Sequence, residues 1–311
     1  MLNTIKKLKT LALQDDYWHG PQSRGQFYSK NEIRGYYNDL RKKVIIEPDS
    51  KLFRKTGNPQ IIHPVTVCQV GLGALDKYIE TGESQYLNIV ESSCKWLEDN
   101  IVILPNGIKW TVGFPFPLFE LESGFHSGLI QGQAISLFIR YSIYFNSNRY
   151  DYIIKGAYDF LLLPVSKGGC RIDETFIFEE YPTESPSIVL NGYISAIWGV
   201  YDYAKYSNKD EDWKCYTESC QELERLLPKF DSKLFSRYAL KTNSLYYSNL
   251  ASPYYHNEHI EQLSVMCDLY HSEIFSLHLE SWIRKNHFMN RWLVIFIKGF
   301  TVTMQKLLGI R

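Results

Sequence analysis

L-D-K-Y-I-E-T-G-E-S-Q-Y, Leu75–Tyr86, is a helix-like run that breaks at Gly82 and resumes with an aromatic residue at Tyr86. The same figure returns. F-I-R-Y-S-I-Y-F-N-S-N-R-Y (Phe138–Tyr150) turns at Asn146 and resumes at Tyr150, and V-Y-D-Y-A-K-Y-S-N-K-D-E-D-W (Val200–Trp213) turns at Asn208 and resumes at Trp213. A weaker fourth copy, M-C-D-L-Y-H-S-E-I-F, turns at His271 with Phe275 after it. The turns are about 63 residues apart, so the chain is read as a repeat of helix pairs.

The two helices of a pair differ. Those before the turn are small and apolar almost all round: V-G-L-G-A-L (Val70–Leu75), Q-A-I-S-L-F-I (Gln133–Ile139) and Y-I-S-A-I-W-G-V (Tyr193–Val200). A helix apolar on every side is buried on every side. Those after the turn are amphipathic, as in Q-Y-L-N-I-V-E-S-S-C-K-W-L-E-D-N (Gln85–Asn100). This alternation predicts a mainly α fold, an α/α toroid or incomplete α/α barrel with an inner and an outer ring of helices. A helical array without a central cleft is the alternative. In a toroid the loops entering the inner helices gather at one end. Those loops are Gly57–Pro64, Pro105–Gly132, Lys167–Gly192 and Leu240–His259. Arg34–Ile46, rich in tyrosine and β-branched residues, predicts one or two strands. The expected division is an N-terminal part with a basic helix and this short β-containing segment (1–60), the barrel (61–288) and an apolar tail helix (289–311).

Composition narrows the function. Lysine plus arginine and aspartate plus glutamate both count 34, which argues against a nucleic-acid partner. Hydrophobic residues make up 45% and charged residues 22%, a globular balance. The aromatic content of 15% fits either a sugar-lined cleft or ordinary helix packing. The six cysteines form no C-x-x-C pair, so neither a zinc site nor a disulfide framework is expected. Met1–Leu13 lacks the apolar core of a signal peptide, and a reduced, cytoplasmic setting is the simplest expectation. That stretch, with Lys6, Lys7 and Lys9 opposite leucines, and the apolar Arg291–Met304 fit either packing on the domain or peripheral contact with the inner face of a membrane.

Three stretches carry chemistry. The first is F-E-E-Y-P-T-E-S-P-S-I-V-L-N-G, Phe178–Gly192. Crowded carboxylates at Glu179 and Glu180 raise the pKa of at least one, Tyr181 adds a phenol, and Pro182 stiffens the backbone. Two readings fit: a proton-handling site, or a helix start capped by Thr183, Ser185 or Ser187 with the acids favouring its dipole. The second, Tyr238–His259, holds five tyrosines, two histidines and Lys241. His256 and His259 could share a helix face, but no third ligand is evident and no metal or cofactor is expected. Tyr254, Tyr255 and His256 are read as substrate or proton-transfer groups. The third, Ser123–Ser136, has three glycines and two glutamines but no G-K-[ST], so it is not a phosphate loop. Tyrosine, glutamate and histidine in an α/α cleft point to carbohydrate, by glycosidic cleavage or by proton abstraction beside a uronate carboxylate.

These stretches together resemble the D-glucuronyl C5-epimerase family. The resemblance rests on H-P-V-T-V-C-Q-V-G-L (His63–Leu72), Q-G-Q-A-I-S (Gln131–Ser136), E-E-Y-P-T with V-L-N-G (Glu179–Gly192), S-R-Y-A-L (Ser236–Leu240) and Y-H-N-E-H-I-E-Q-L (Tyr255–Leu263). It implies an α/α barrel that converts glucuronate to iduronate in a heparosan-like polymer. It implies catalytic groups at Glu180, Tyr181, Tyr238 and Tyr255. Substrate contacts are expected from Glu179, Gln131, Gln133, Asn191, Lys241, His256 and His259. The family's large β-region is mostly missing, and Arg34 and Tyr37, with Tyr36, are assigned as replacements for its contacts. Where the family has an arginine after S-R-Y-A-L, this chain has Lys241, which keeps the charge without the fork. The implied partner is a uronate-containing polysaccharide, with a second copy of the chain as a further partner to test. A polysaccharide lyase, a hydrolase and a non-catalytic binder of anionic glycans are the alternatives.

Overall fold

In the computed structural model, which describes residues 23–45, 53, 61–183, 185–241 and 249–307, the repeat becomes four helix pairs and a tail. The pairs are α1 (Pro64–Thr81) with α2 (Ser84–Asp99), α3 (Gly128–Tyr144) with α4 (Asp151–Leu162), α5 (Leu190–Ser207) with α6 (Asp210–Phe230), and α7 (Pro253–Leu269) with α8 (Glu273–Lys285). The tail helix is α9 (Phe288–Leu307). A two-stranded antiparallel sheet, β1 (Val102–Leu104) and β2 (Gly107–Lys109), pairs Ile103 with Ile108 and packs on α4.

The first helix of each pair lies inside. α1 packs on α3, α3 on α5 and α5 on α7, while each also packs on its own outer partner. Burial follows: α3 is buried at every residue from Gly128 to Ser142, and α5 from Leu190 to Ala204. By contrast, α6 buries one stripe, Tyr216, Ser219, Cys220, Leu223, Leu226, Leu227 and Phe230, with Asp212 at its start. The inner helices α3 and α5 touch through glycine, because a Cβ on Gly199 would stand 2.5 Å from the Gly132 Cα. The expected α/α architecture is thus present, and it is built from these contacts.

The repeated turns share a device. Gly82, Asn146 and Asn208 all have left-handed backbone, with φ of 73°, 46° and 53°. Glycine and asparagine tolerate that conformation best. The fourth turn is made differently: α7 ends on extended Tyr270, and the Ser272 hydroxyl accepts from the Phe275 N–H to start α8. The aromatic after each turn packs beneath it, with Tyr150 and Phe275 fully buried.

Between α7 and α1 the ring is bridged by residues 23–45. Arg24 pairs with Asp268 and its N–H reaches Glu261 on α7, while the Tyr36 N–H donates to Asp76 on α1 at 3.0 Å. Backbone bonds Asp39 N to Ser23 O, Gly25 N to Tyr37 O and Gly35 N to Phe27 O give this segment antiparallel pairing. The pairing amounts to one isolated bridge, Arg24 with Asn38, and no strand forms in the described part of the segment, so the strands expected there are not found. Asp39 accepts from the Arg41 N–H and Nε, and Arg41–Lys43 turns as a 3-10 helix. The basic N-terminal helix expected at Met1–Leu13 lies outside the described residues.

The centre of the ring is polar. Arg140 of α3 and Asp202 of α5, both fully buried, form an ion pair at 2.6 Å. The Tyr37 hydroxyl donates to the other Asp202 oxygen at 2.7 Å. The remaining Arg140 donors reach the carbonyls of Ser136, Arg34 and Gly35, and its guanidinium lies over the Tyr36 and Tyr37 rings. Arg34 and Tyr37, expected in the substrate cleft, are therefore used here instead. Tyr37 is a buried partner of Asp202, and Arg34 is exposed beside Tyr144 at the C-terminal end of α3.

Removing one member of a buried ion pair leaves an unanswered charge. Arg140→Met is expected to destabilise the protein by about 3–5 kcal/mol in urea unfolding and to expose residues 23–45 to proteolysis. Arg140→Met with Asp202→Leu should recover a large part of that loss, and a double variant as unstable as the single one would refute the role assigned to the pair.

Candidate active site at the N-terminal ends of the inner helices

The inner helices enter the ring at the end opposite Arg140 and Asp202, roughly 18 Å away along α5 at 1.5 Å per residue. There the described parts of Pro105–Gly132, Lys167–Gly192 and Leu240–His259 meet; residues 57–60 of the fourth predicted loop and 242–248 lie outside the described residues. Cys170 and Glu179 are joined by the Glu179 N–H, Val189 bridges Ala239, and the Leu190 N–H donates to the Tyr238 carbonyl. These bonds lock E-E-Y-P-T and S-R-Y-A-L side by side against the first turn of α5. The α7 start is fixed by Ser252, whose hydroxyl accepts from the Tyr255 N–H, with Pro253 in the first turn.

Three of the four residues assigned as catalytic are tyrosines that form one cluster. The Tyr238 ring lies 4.6 Å from that of Tyr255. Tyr181 stacks on Phe119 at 4.5 Å and meets Phe116 edge-on at 4.9 Å. Tyr238 is buried, while Tyr181 and Tyr255 keep some accessible surface. The Tyr181 hydroxyl interacts with both the Glu180 carboxyl and the Tyr238 hydroxyl. Burial, and then the Glu180 charge, hold the Tyr181 phenol well above its ordinary pKa. Phe116 and Phe119, which wall the cluster, carry no sequence signal beyond the aromatic run in which they sit.

Glu180 is buried and pushed up to about 8, mainly by burial and further by the charges of Glu258 and Glu179. It rests against the first turn of α5, where a Cβ on residue 192 would overlap its carboxylate, so Gly192 makes room for it. Oε2 has no hydrogen-bonding partner in the protein, and neither do Asn191 Oδ1, Gln262 Oε1 and His259 Nε2. A ligand or water can answer such atoms, though they are not confined to this end: Tyr36 Oη, Asp76 Oδ2 and Gln133 Oε1 are also without a partner.

Glu258 faces Glu180 and was absent from the residues assigned above. It is buried, raised to about 7 by burial, and moderated by the buried Lys43 and by Tyr254. In the sequence it was visible only as the acid between two histidines. His63 caps the start of α1: its Nδ1 accepts from the Val65 N–H at 3.2 Å, which places the ring proton on Nε2, and its ring meets Phe114 edge-on.

The remaining assignments divide. Glu179 is buried by burial-raised chemistry, at about 7, but its oxygens accept from the Ser187 hydroxyl and the Ile188 N–H. Ile188 has φ of 45°, a strained position for a β-branched residue, and Glu179 clamps it. This replaces the expected cap, since α5 starts at Val189 without a side-chain cap. Gln131 turns to the outer layer, donating to the Ile108 and Ala157 carbonyls. Gln133 lies against Tyr36. Asn191 is at the α5 start, and its carbonyl accepts from Gln262. Lys241 is at the rim, its ammonium on the Ser185 hydroxyl.

His256 and His259 do not face substrate as a pair. His256 Nδ1 accepts from the Ser236 N–H at 3.0 Å, so its Nε2–H donates to the Trp282 carbonyl. Its ring stacks on Phe235 at 4.0 Å. His259 Nδ1 meets the Ser236 hydroxyl at 2.8 Å. Burial lowers the pKa of both, His256 to about 3. Among the described residues no group of three His, Cys, Asp or Glu side chains is placed to hold a metal ion.

The family model described as D-glucuronyl C5-epimerase C-terminus matches residues 106–284. The chain is 25% identical over 305 residues to a D-glucuronyl C5-epimerase of Caenorhabditis elegans, covering 87% of this chain and 49% of that protein. It is 30% identical over 138 residues to an uncharacterised protein of Methanocaldococcus jannaschii, covering 42% and 44% respectively. The chain spans about half the length of the curated relatives it matches. Among solved structures, a family 76 glycoside hydrolase (mannosidase) from Bacteroides thetaiotaomicron aligns over 67% of this chain and 54% of its own, at 14% identity and a TM-score of 0.44.

The buried acids have a consequence for stability. Asp76, Glu179, Glu180 and Glu258 titrate at about 7 to 8 in the fold, and unfolding returns them to ordinary carboxyl values. The unfolded chain therefore releases protons that the folded one keeps, and stability falls as pH rises through this range. Below about pH 6.5 the lowered His63, His126, His256 and His259 act in the opposite sense. The melting temperature is thus expected to fall between about pH 6.5 and 8, with a shallower fall in Glu180→Gln and Glu258→Gln. A flat or rising profile would contradict these burial-driven shifts.

Proposed function

Since the chain belongs to the family of D-glucuronyl C5-epimerase C-terminal domains, we propose that it is a uronate C5-epimerase, converting D-glucuronate to L-iduronate within a polysaccharide. The observation that carries this reading is the convergence of Tyr181, Tyr238 and Tyr255 with a buried, proton-holding Glu180 at the mouth of the ring.

The chemistry asks for that combination. Removing the weakly acidic proton at C5 leaves a carbanion whose charge spreads into the uronate carboxylate. The enzyme must neutralise that carboxylate, take the proton from one face and return one to the other. Tyr181 and Tyr255 are the two accessible phenols of the cluster, and we assign one to each face. Glu180 is the carboxyl nearest the Tyr181 hydroxyl; in its ionised form, which a pKa of about 8 keeps accessible near neutrality, it takes the phenolic proton as the Tyr181 oxygen takes the one from C5. Tyr238, buried beside Tyr255 and interacting with Tyr181, provides a route by which the proton gained on one side returns to the other. Each turnover then leaves the protonation of the enzyme as it began.

Stabilisation of the enediolate falls to neutral donors and nearby cations. Glu258 is protonated below about pH 7 and can donate to the substrate carboxylate, with Lys43 beside it. Lys241 at the rim suits a neighbouring charge on the polymer better than the reacting ring. His256 takes no part, because both of its nitrogens are engaged with Ser236 and Trp282.

Heparosan incubated with the protein in D₂O is expected to gain deuterium at C5 and new iduronate signals by proton NMR. Tyr181→Phe and Tyr255→Phe should each lower the exchange rate by about 100-fold or more with little change in KM. A loss of under about tenfold in both would sink the scheme. A rise in ultraviolet absorbance from an unsaturated uronate would replace it with a lyase.

A further inference from the structure

Helix α9 is amphipathic with its apolar side outward. Val294 is fully buried against the domain, and the Lys298 ammonium donates to the Leu250 carbonyl at 2.7 Å, which fixes which side faces the protein. The opposite side carries Phe288, Met289, Trp292, Leu293, Phe296 and Phe300, with Phe288, Met289 and Phe296 more than 70% exposed. Phe288, Trp292, Phe296 and Phe300 recur every fourth residue and form one stripe along the helix. A soluble monomer does not ordinarily leave so continuous an aromatic stripe in water.

Charge identifies what covers it. From Phe288 to Arg311 there is no aspartate or glutamate, while Arg291, Lys306 and Arg311 are cationic; Arg284 and Lys285, just before, are answered by Glu280 and Asp231, and Lys298 faces the domain. A second copy of the chain seated on this face would bring the Arg291, Lys306 and Arg311 cations of two helices together, with no acid on either helix to answer them. An anionic lipid surface answers both the aromatic stripe and the charge. No described helix is long and apolar enough to cross a membrane, so the contact is one of lying along the surface. We propose that α9 rests with this stripe in the headgroup layer of an anionic bilayer. The proposal is independent of the reaction assigned to the cleft.

The test is co-sedimentation of the full chain with vesicles of phosphatidylcholine alone or mixed with phosphatidylglycerol. Binding to the anionic vesicles, reduced by salt and accompanied by a blue shift of tryptophan emission, is the expected result. Phe288→Ser with Phe296→Ser should lower the partition coefficient about tenfold or more, with the melting temperature unchanged. Protein that stays in the supernatant with both vesicles overturns the proposal, as does binding that the double variant leaves intact. A dimer by light scattering that the same variant converts to monomer would assign the stripe to a second copy instead.

Discussion

A guanidinium buried in the middle of a helical ring must be answered on every side, and Arg140 is answered from three directions. Asp202 neutralises it across the α3–α5 contact, Ser136 takes one donor within its own helix, and the carbonyls of Arg34 and Gly35 take the rest. Those last two bonds draw residues 23–45 into the ring. The pair thus couples two things that sequence position separates widely: the approach of the inner helices, and the segment that bridges α7 to α1. The close passage of Gly132 and Gly199 makes the helix approach possible, and the ion pair fixes its register.

This divides the molecule by chemistry along the axis of the ring. At one end, Tyr37, Asp202 and Arg140 answer one another, although Asp76 Oδ2, the Tyr36 hydroxyl and Gln133 Oε1 nearby have no partner. At the other, Glu180, Asn191, Gln262 and His259 each keep a buried polar atom that the protein leaves unanswered. At the other end the helix starts bring three phenols and two buried carboxyls together. The Glu179 clamp on Ile188 belongs to both, since it spends a carboxylate to hold the strained turn from which α5 begins.

The ring was legible because burial on all sides of a helix is a compositional fact, and three of the four turns announce themselves by glycine or asparagine in a left-handed position. The grouping of E-E-Y-P-T with S-R-Y-A-L and Y-H-N-E-H was legible for the same reason: all three precede or open inner helices. Direction was not legible. Gln131 and Gln133 sit two residues apart on α3, and nothing in Q-G-Q says that the first faces the outer layer and the second the centre. Tyr37 is equally suited to a ligand or to Asp202. His256 and His259 share a spacing that suits a metal, yet a serine hydroxyl lies between them. Glu258 was overlooked because an acid beside two histidines reads as their accessory, whereas its side chain answers to Glu180 and Lys43. The outward apolar stripe of α9 shows in sequence only as hydrophobicity, because periodicity does not say which side is covered.

Gly192 ties the cleft to the helix beneath it. The Glu180 carboxylate fills the space that any other side chain at 192 would claim. The acid and the helix start cannot then drift separately: a methyl group at 192 would push Glu180 off the turn, away from Tyr181, whatever residue replaced it elsewhere. Change at this site has to proceed through the loop or through the facing helix, α7, and not through α5. The acidity of Glu180 is accordingly set by its burial and by the charges of Glu258 and Glu179, while position 192 stays fixed by geometry alone.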